Sequence, residues 1–387
     1  MSEHASDTEA NLKLVNDVAR LAEDEGRNIL QIDSKLKSIA PRDLGLSVLE
    51  CDERPSYSVH DKTYCAVDGS VLHRDMGDAY LILAKAALVR AARFGGEIPY
   101  EVVKKPKMIS DYVGENNVNN NAIRFMLNLE TELLGNNFES CDVIFVDGPI
   151  VDPPVAVTSL GADEDEDVPS LRTLAKKRAD LFRKILEQDK LVIGIVKRFS
   201  QRFLLGMITN KYHGDPGLKS RLKNAKERYV AARLMSNEGN ASSSPMILGW
   251  INWDEHLSGS PEFHEISSLL EAYGSYRNEW NGIITIYSGY YRTSLSSPPV
   301  RIDVPVANGR SDWIDGACRA ISRWRIEGEA EAVLLDYLAD TYAKVTLDEL
   351  SSISALYRSV KTKKLFESND EDAMHYVLQT EILSKKI

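Results

Sequence analysis

Two stretches constrain this chain more than any others: "KTYCAVDGS" at Lys62–Ser70 and "CDVIFVDGP" at Cys141–Pro149. Each is an apolar, strand-like run that ends on Asp-Gly. One such ending is ordinary turn chemistry, because Asp bonds its own backbone and Gly accepts a positive φ. Two of them, with a helical glutamate between, raise a second reading, in which neighbouring strands present two carboxylates at one place. The intervening helix is "NAIRFMLNLETELLG", residues 121–135, which carries Glu130 and Glu132.

The order of elements around these runs sets the fold class. Strands are expected at Tyr64–Asp68, Ala79–Leu88 and Tyr100–Lys104, followed by the Glu130 helix and strand Val143–Asp147. Helix Leu171–Gln188 and strand Leu191–Lys197 come next. Three strands, helix, strand, helix, strand describes an α/β chain, a mixed sheet with helices packed on it. Upstream, Leu14, Val18, Leu21, Ile29, Ile32 and Leu36 recur at helical spacing and predict one long or two short helices. Downstream the pattern is less regular. Helix Leu218–Met235 leads into the loop "SNEGNASSSP", strand "MILGWINW" and helix "EFHEISSLLEAYG". Strands "GIITIYSGYY" and "PVRIDVPV" follow, then helices near 311–325, 329–344 and 347–361 and a frayed C-terminal helix. No internal repeat or clear linker interrupts the chain. The expected organisation is a helical region 1–55, a main domain 56–345 with an insertion at about 205–280, and a helical extension 346–387.

Composition narrows the function. With 43% hydrophobic and 27% charged residues, the 387-residue chain is globular. A net charge of −11 argues against coating nucleic acid by general electrostatics. Part of that charge is local, in "ADEDED" at Ala162–Asp167, and basic clusters persist at Val103–Lys107, Lys176–Arg178 and Val196–Arg198. No run reaches the roughly 18 apolar residues of a membrane span. The nearest, "AYLILAKAALVRAA", is interrupted by Lys85 and Arg90, and the N-terminus lacks a secretory h-region. Cys51, Cys65, Cys141 and Cys318 show no metal-ligand spacing; Cys65 and Cys141 are expected as reduced core residues, which fits a cytoplasmic protein.

Nucleophile schemes fail, since there is no G-x-S-x-G and no cysteine in a catalytic context. "GDPGLKS" at Gly214–Ser220 lacks the phosphate-loop spacing and has no strand feeding it. His256 and His264 belong to no H-E-x-x-H and are expected in surface or packing roles. A phosphatase using Asp68 as nucleophile would want a second aspartate two residues on, where Ser70 stands. The acids remain. Asp68, Glu130 and Asp147 are hard oxygen donors of the kind Mg²⁺ and Mn²⁺ select. Two such ions about 4 Å apart serve phosphodiester hydrolysis.

"YCAVDGS", "NLETELL", "VIFVDGP", "LVIGIVKR" and "VRIDVP", in this order and spacing, resemble the NurA nuclease family over roughly residues 60–345. The resemblance implies a ribonuclease H-like mixed-sheet core flanked by helices, and DNA cleavage with Mn²⁺ or Mg²⁺, two ions being expected. It implies a homodimer partnering a HerA-like hexameric ATPase in DNA end processing or phage defence, with no membrane association. Asp68 and Asp147 match the family's strand-end aspartates. Glu130 matches the intervening glutamate, with Glu132 as the fallback. Lys197 matches a strand-borne lysine that holds the scissile phosphate; a solvated strand-end lysine is the equally weighted alternative. The last family motif, a tyrosine and a metal-binding histidine eight residues later, departs here: Ala332 and Asp340 stand in those places. Asp340 is then either an aspartate replacing the histidine as metal ligand or an exposed helix residue. In the second case the chain is a catalytically weak nuclease-fold subunit that scaffolds or regulates the ATPase.

Overall fold

The computed structural model describes residues 3–51, 62–92, 99–112, 115–151, 167–197, 202–212, 214, 217, 220, 222, 225–237, 245–257, 267–294, 297–326 and 333–367, with backbone only for 3–14, 115–116, 256–257 and 267–268. Residues 162–166 of the acidic run, most of "GDPGLKS", the centre of the "SNEGNASSSP" loop, His264, Ala332 and the expected C-terminal helix lie outside the described residues.

One mixed sheet organises the chain. Its strands are β1 (Ser47–Glu50), β2 (Tyr64–Asp75), β3 (Tyr80–Ala91), β4 (Tyr100–Asp111), β5 (Val143–Asp147), β6 (Leu191–Val196), β7 (Met246–Asn252), β8 (Ile284–Arg292) and β9 (Val300–Ala307). Their spatial order is β1-β7-β8-β9-β6-β5-β2-β3-β4. β2, β3 and β4 form an antiparallel meander, and β5 and β6 run parallel to β2. This half is the ribonuclease H-like arrangement. β9, β8, β7 and β1 then extend the sheet with antiparallel pairings.

The helices are α1 (Glu3–Leu36), α2 (Glu115–Asn137), α3 (Leu171–Glu187), α4 (Phe203–Lys211), α5 (Glu227–Asn237), α6 (Trp253–Leu257), α7 (Ser267–Glu279), α8 (Asp312–Arg323), α9 (Leu334–Ala343) and α10 (Leu347–Glu367). Both α2 and α9 pack on β2 and β3. That coverage explains why β3, "YLILAKAALVRA", is almost wholly buried and almost wholly apolar. β4 is the outer edge and alternates in exposure; Pro106 is tolerated there, since an edge strand can spare a backbone donor.

Strand length is where the structure departs most from the sequence-based expectation. β2 does not stop at Asp68 but runs on to Asp75, and β4 runs on from Lys104 to Asp111. The reason is pairing: β2 and β3 stay in register from Tyr64↔Ala91 to Asp75↔Tyr80. What does stop near Asp68 is the parallel pairing with β5, which ends at Val67↔Val146. The helical region 1–55 also holds β1, paired with β7 inside the sheet. Leu36 and Leu46 from that region, and Leu234, Trp253 and Tyr273 from the 205–280 stretch, join the same core as Phe145 and Ala339.

The cysteines overturn one expectation. Cys65 on β2 and Cys141, two residues before β5, are joined by a disulfide rather than reduced. Adjacent parallel strands bring their Cα atoms to 5.8 Å, within the span a disulfide bridges. Cys51 and Cys318 are free thiols.

One buried acid, Glu227, serves the fold. Glu227 accepts hydrogen bonds from the backbone N–H of Leu204 and Leu205, capping α4 from a distance, and from the Tyr290 hydroxyl. Burial pushes its carboxyl up to about 7, although those hydrogen bonds and Arg301 pull the other way. A raised carboxyl favours the folded state below its unfolded pKa, and that contribution is lost as pH climbs through the folded value. Urea unfolding at pH 5 and pH 8 is therefore expected to show a loss of stability with rising pH that Glu227→Gln reduces. An unchanged pH slope in the variant would remove Glu227 as its source.

Candidate functional site

Asp68 and Asp147 share an Asp-Gly ending for different physical reasons. At Gly148 the reason is the backbone: β5 ends, φ is +102°, and the Gly148 N–H donates to Ile195 O at 2.9 Å. A residue with a Cβ is strained there. At Gly69 the strand continues, and the reason is proximity. A Cβ on Gly69 would lie 2.3 Å from Glu130 Oε1, 2.8 Å from Glu130 Cγ and 2.9 Å from Met126 Cγ. Glycine here lets α2 settle onto β2 and lays Glu130 beside Asp68.

Five side chains from five elements meet around Asp68. Asp68 is 4% exposed; the Gly69 N–H donates to its Oδ1 at 2.6 Å, and its buried Oδ2 has no hydrogen-bond partner among the described residues. Glu130 from α2 is buried, with Arg178 Nη1 of α3 at 3.9 Å from its Oε2. Asp147 closes β5. Lys197, the residue after β6, places its Nζ 3.3 Å from Asp147 Oδ2 and 3.0 Å from Asp336 Oδ2. Asp336 belongs to α9 and has no exposed surface. Burial first, then the carboxylates of Asp147, Glu130 and Asp336, push the Asp68 carboxyl up to about 11, against the opposing pull of Lys197. Asp147 and Lys197 retain solvent contact, with side chains 24% and 16% exposed. Their side is where the cluster meets solvent.

The expected residues separate clearly. Asp68, Glu130, Asp147 and Lys197 come together. Glu132 instead bridges Lys105 at 2.6 Å and Lys177 at 3.1 Å, away from Asp68. Asp340 is exposed one turn beyond Asp336, and Asp336 is the α9 carboxylate that acts on Asp68. Two residues were missed in the sequence. Arg178 lay inside a basic cluster that reads as solvated, yet it is 3% exposed. Asp336 had a legible signal: at roughly 100° per residue it lies about 20° beyond the arc of Leu335, Ala339 and Ala343, whereas Asp340 lies about 60° beyond it.

The donor set fits a hard divalent cation in kind. It is all carboxylate, and one buried oxygen, Asp68 Oδ2, has no partner. The residues are not preassembled as a cage, for among the described residues no three or more His, Cys, Asp or Glu converge in ligand geometry.

A ribonuclease H-like sheet with a buried carboxylate cluster at the carboxyl end of its parallel strands defines the class of protein. The chain belongs to the NurA family: the NurA domain matches residues 62–345. Among solved structures, the NurA nuclease from Sulfolobus solfataricus is similar, with a TM-score of 0.58 and 14% identity over 92% of this chain and 98% of that one. A second NurA crystal structure gives 0.50 and 10% identity, over 94% of this chain and 99% of that one. A third, NurA bound to dAMP and manganese, gives 0.45 and 13% identity, over 91% and 96%. No curated protein matches the chain. Among the described residues, no helix is long and apolar enough to cross a membrane.

Proposed function

We propose that this chain is a metal-dependent deoxyribonuclease that uses Mn²⁺ or Mg²⁺, two ions in the working enzyme. The observation that carries the reading is the burial of Asp68 against Glu130, Asp147 and Asp336. Like charges crowded out of water are costly unless a cation joins them. Asp68, Glu130 and Asp147 would hold the metal. When bound, a divalent cation supplies Lewis-acid polarisation of the phosphodiester and lowers the pKa of water. Arg178 and the Gly69 N–H fix the orientations of Glu130 and Asp68. Lys197, at the solvent side, would meet a non-bridging phosphate oxygen once released from Asp147 and Asp336.

The nuclease acts as a homodimer with a HerA-like hexameric ATPase, in DNA end processing or phage defence. The charge of −11 supports dependence on such a partner, because affinity for duplex DNA grows with the number of phosphates neutralised. Exposed apolar residues on α1 (Val18, Leu21, Leu30) and α10 (Leu347, Leu356, Val360) offer contact surfaces. The competing reading, a catalytically weak subunit that organises the ATPase, draws support from the exposure of Asp340 where the family carries a histidine.

Digestion of a long linear duplex with Mn²⁺, with and without the ATPase and ATP, separates the two. We expect degradation that EDTA abolishes and that requires both proteins and ATP hydrolysis. No cleavage under any condition would favour the scaffold, whereas ATP-independent degradation by this chain alone would remove the need for a partner.

A further inference from the structure

Lys197 is the unusual member of the cluster. Its ammonium lies between Asp147 Oδ2 and Asp336 Oδ2, at 3.3 Å and 3.0 Å. Asp336 is wholly buried, so this pairing is not a surface contact screened by water. The Lys197 backbone is anchored by Arg228, which donates to the Lys197 carbonyl oxygen. The four-carbon side chain above it rotates without moving β6. Asp68 Oδ2, buried and without a hydrogen-bond partner among the described residues, is a sign that the cluster is incomplete.

We infer that Lys197 is a built-in counter-cation that competes with the divalent ion for Asp147 and Asp336, and that Asp336, not Asp340, is the carboxylate α9 contributes to that ion. This rests on the proposed nuclease reading and adds a control to it. While its ammonium is held by two carboxylates, Lys197 is not available to a phosphate. With a divalent ion held by Asp147 and Asp336, the Lys197 ammonium would lose both partners and be left to meet a phosphate.

Isothermal titration of the metal-free full-length protein with MnCl₂ tests the inference without reference to activity. Lys197→Met is expected to bind Mn²⁺ at least about tenfold tighter than wild type, because the internal competitor is gone. Asp336→Asn is expected to bind about 10- to 100-fold more weakly, and Asp340→Asn to match wild type. In the double variant Lys197→Met/Asp336→Asn the gain shrinks, whereas a mere long-range charge effect would leave it intact. Thermal denaturation in EDTA confirms that each variant folds. Wild type that binds Mn²⁺ with no gain in Lys197→Met, or equal losses in Asp336→Asn and Asp340→Asn, overturns this inference alone. No binding by wild type or by Lys197→Met overturns the nuclease reading with it.

Discussion

Asp68→Asn is expected to lower Mn²⁺-dependent DNA cleavage by at least about a thousand-fold, some 4 kcal/mol of barrier, while the metal-free protein melts within about 2 °C of wild type. The two halves have one cause. With its carboxyl pushed up to about 11 by burial and by Asp147, Glu130 and Asp336, Asp68 is held uncharged at neutral pH without metal. Asparagine is nearly isosteric with that neutral form, so the fold loses little. The amide does not ionise and is a poor ligand for a hard cation, so the site loses much. A third measurement binds the halves together: added Mn²⁺ should raise the melting temperature of wild type, as any ligand of the native state does, and should not raise that of the variant. Near-wild-type cleavage by Asp68→Asn would remove the residue from the centre, and a collapsed fold would make its role structural.

The sheet and most of the cluster were legible from sequence because both follow local rules. Apolar runs of strand length marked the cores of β2, β5 and β6, and their order with the helices specified the mixed sheet. Lengths were less legible. The distal half of β2, "SVLHRD", is polar and half-exposed; it is a strand because β3 supplies hydrogen bonds, which no feature of its own sequence reports. Lys197 and Glu130 were found through motif spacing. Asp336 was missed for a related reason: spacing to the family's histidine pointed to Asp340, one turn away. Asp336 is the α9 carboxylate that is buried and paired with Lys197, whereas Asp340 is exposed. The reduced state expected of Cys65 and Cys141 failed because burial and residue type do not encode which cysteines face each other across neighbouring strands.

Gly69→Ala carries the second large effect, and it separates positioning from folding. The backbone at Gly69 is ordinary extended strand, paired with Ala86, so alanine meets no conformational penalty there. The penalty is steric and falls on one helix, α2. A methyl group would lie 2.8 Å from Glu130 Cγ and 2.9 Å from Met126 Cγ, closer than carbon atoms approach, so α2 must lift or Glu130 must turn aside. Overpacking of this kind costs roughly 1–3 kcal/mol, and a domain of ordinary stability survives it. Cleavage should suffer more, because displacing Glu130 by even 1 Å spoils a geometry that catalysis needs, at a cost of about a hundredfold. Urea unfolding and DNA degradation measured side by side decide the matter. A variant that loses stability in the expected range and loses cleavage about a hundredfold places Glu130 in the working centre, held there by the absence of a side chain at residue 69. A variant equally destabilised but fully active would mean that the first Asp-Gly serves packing alone, and that the chemistry runs without Glu130.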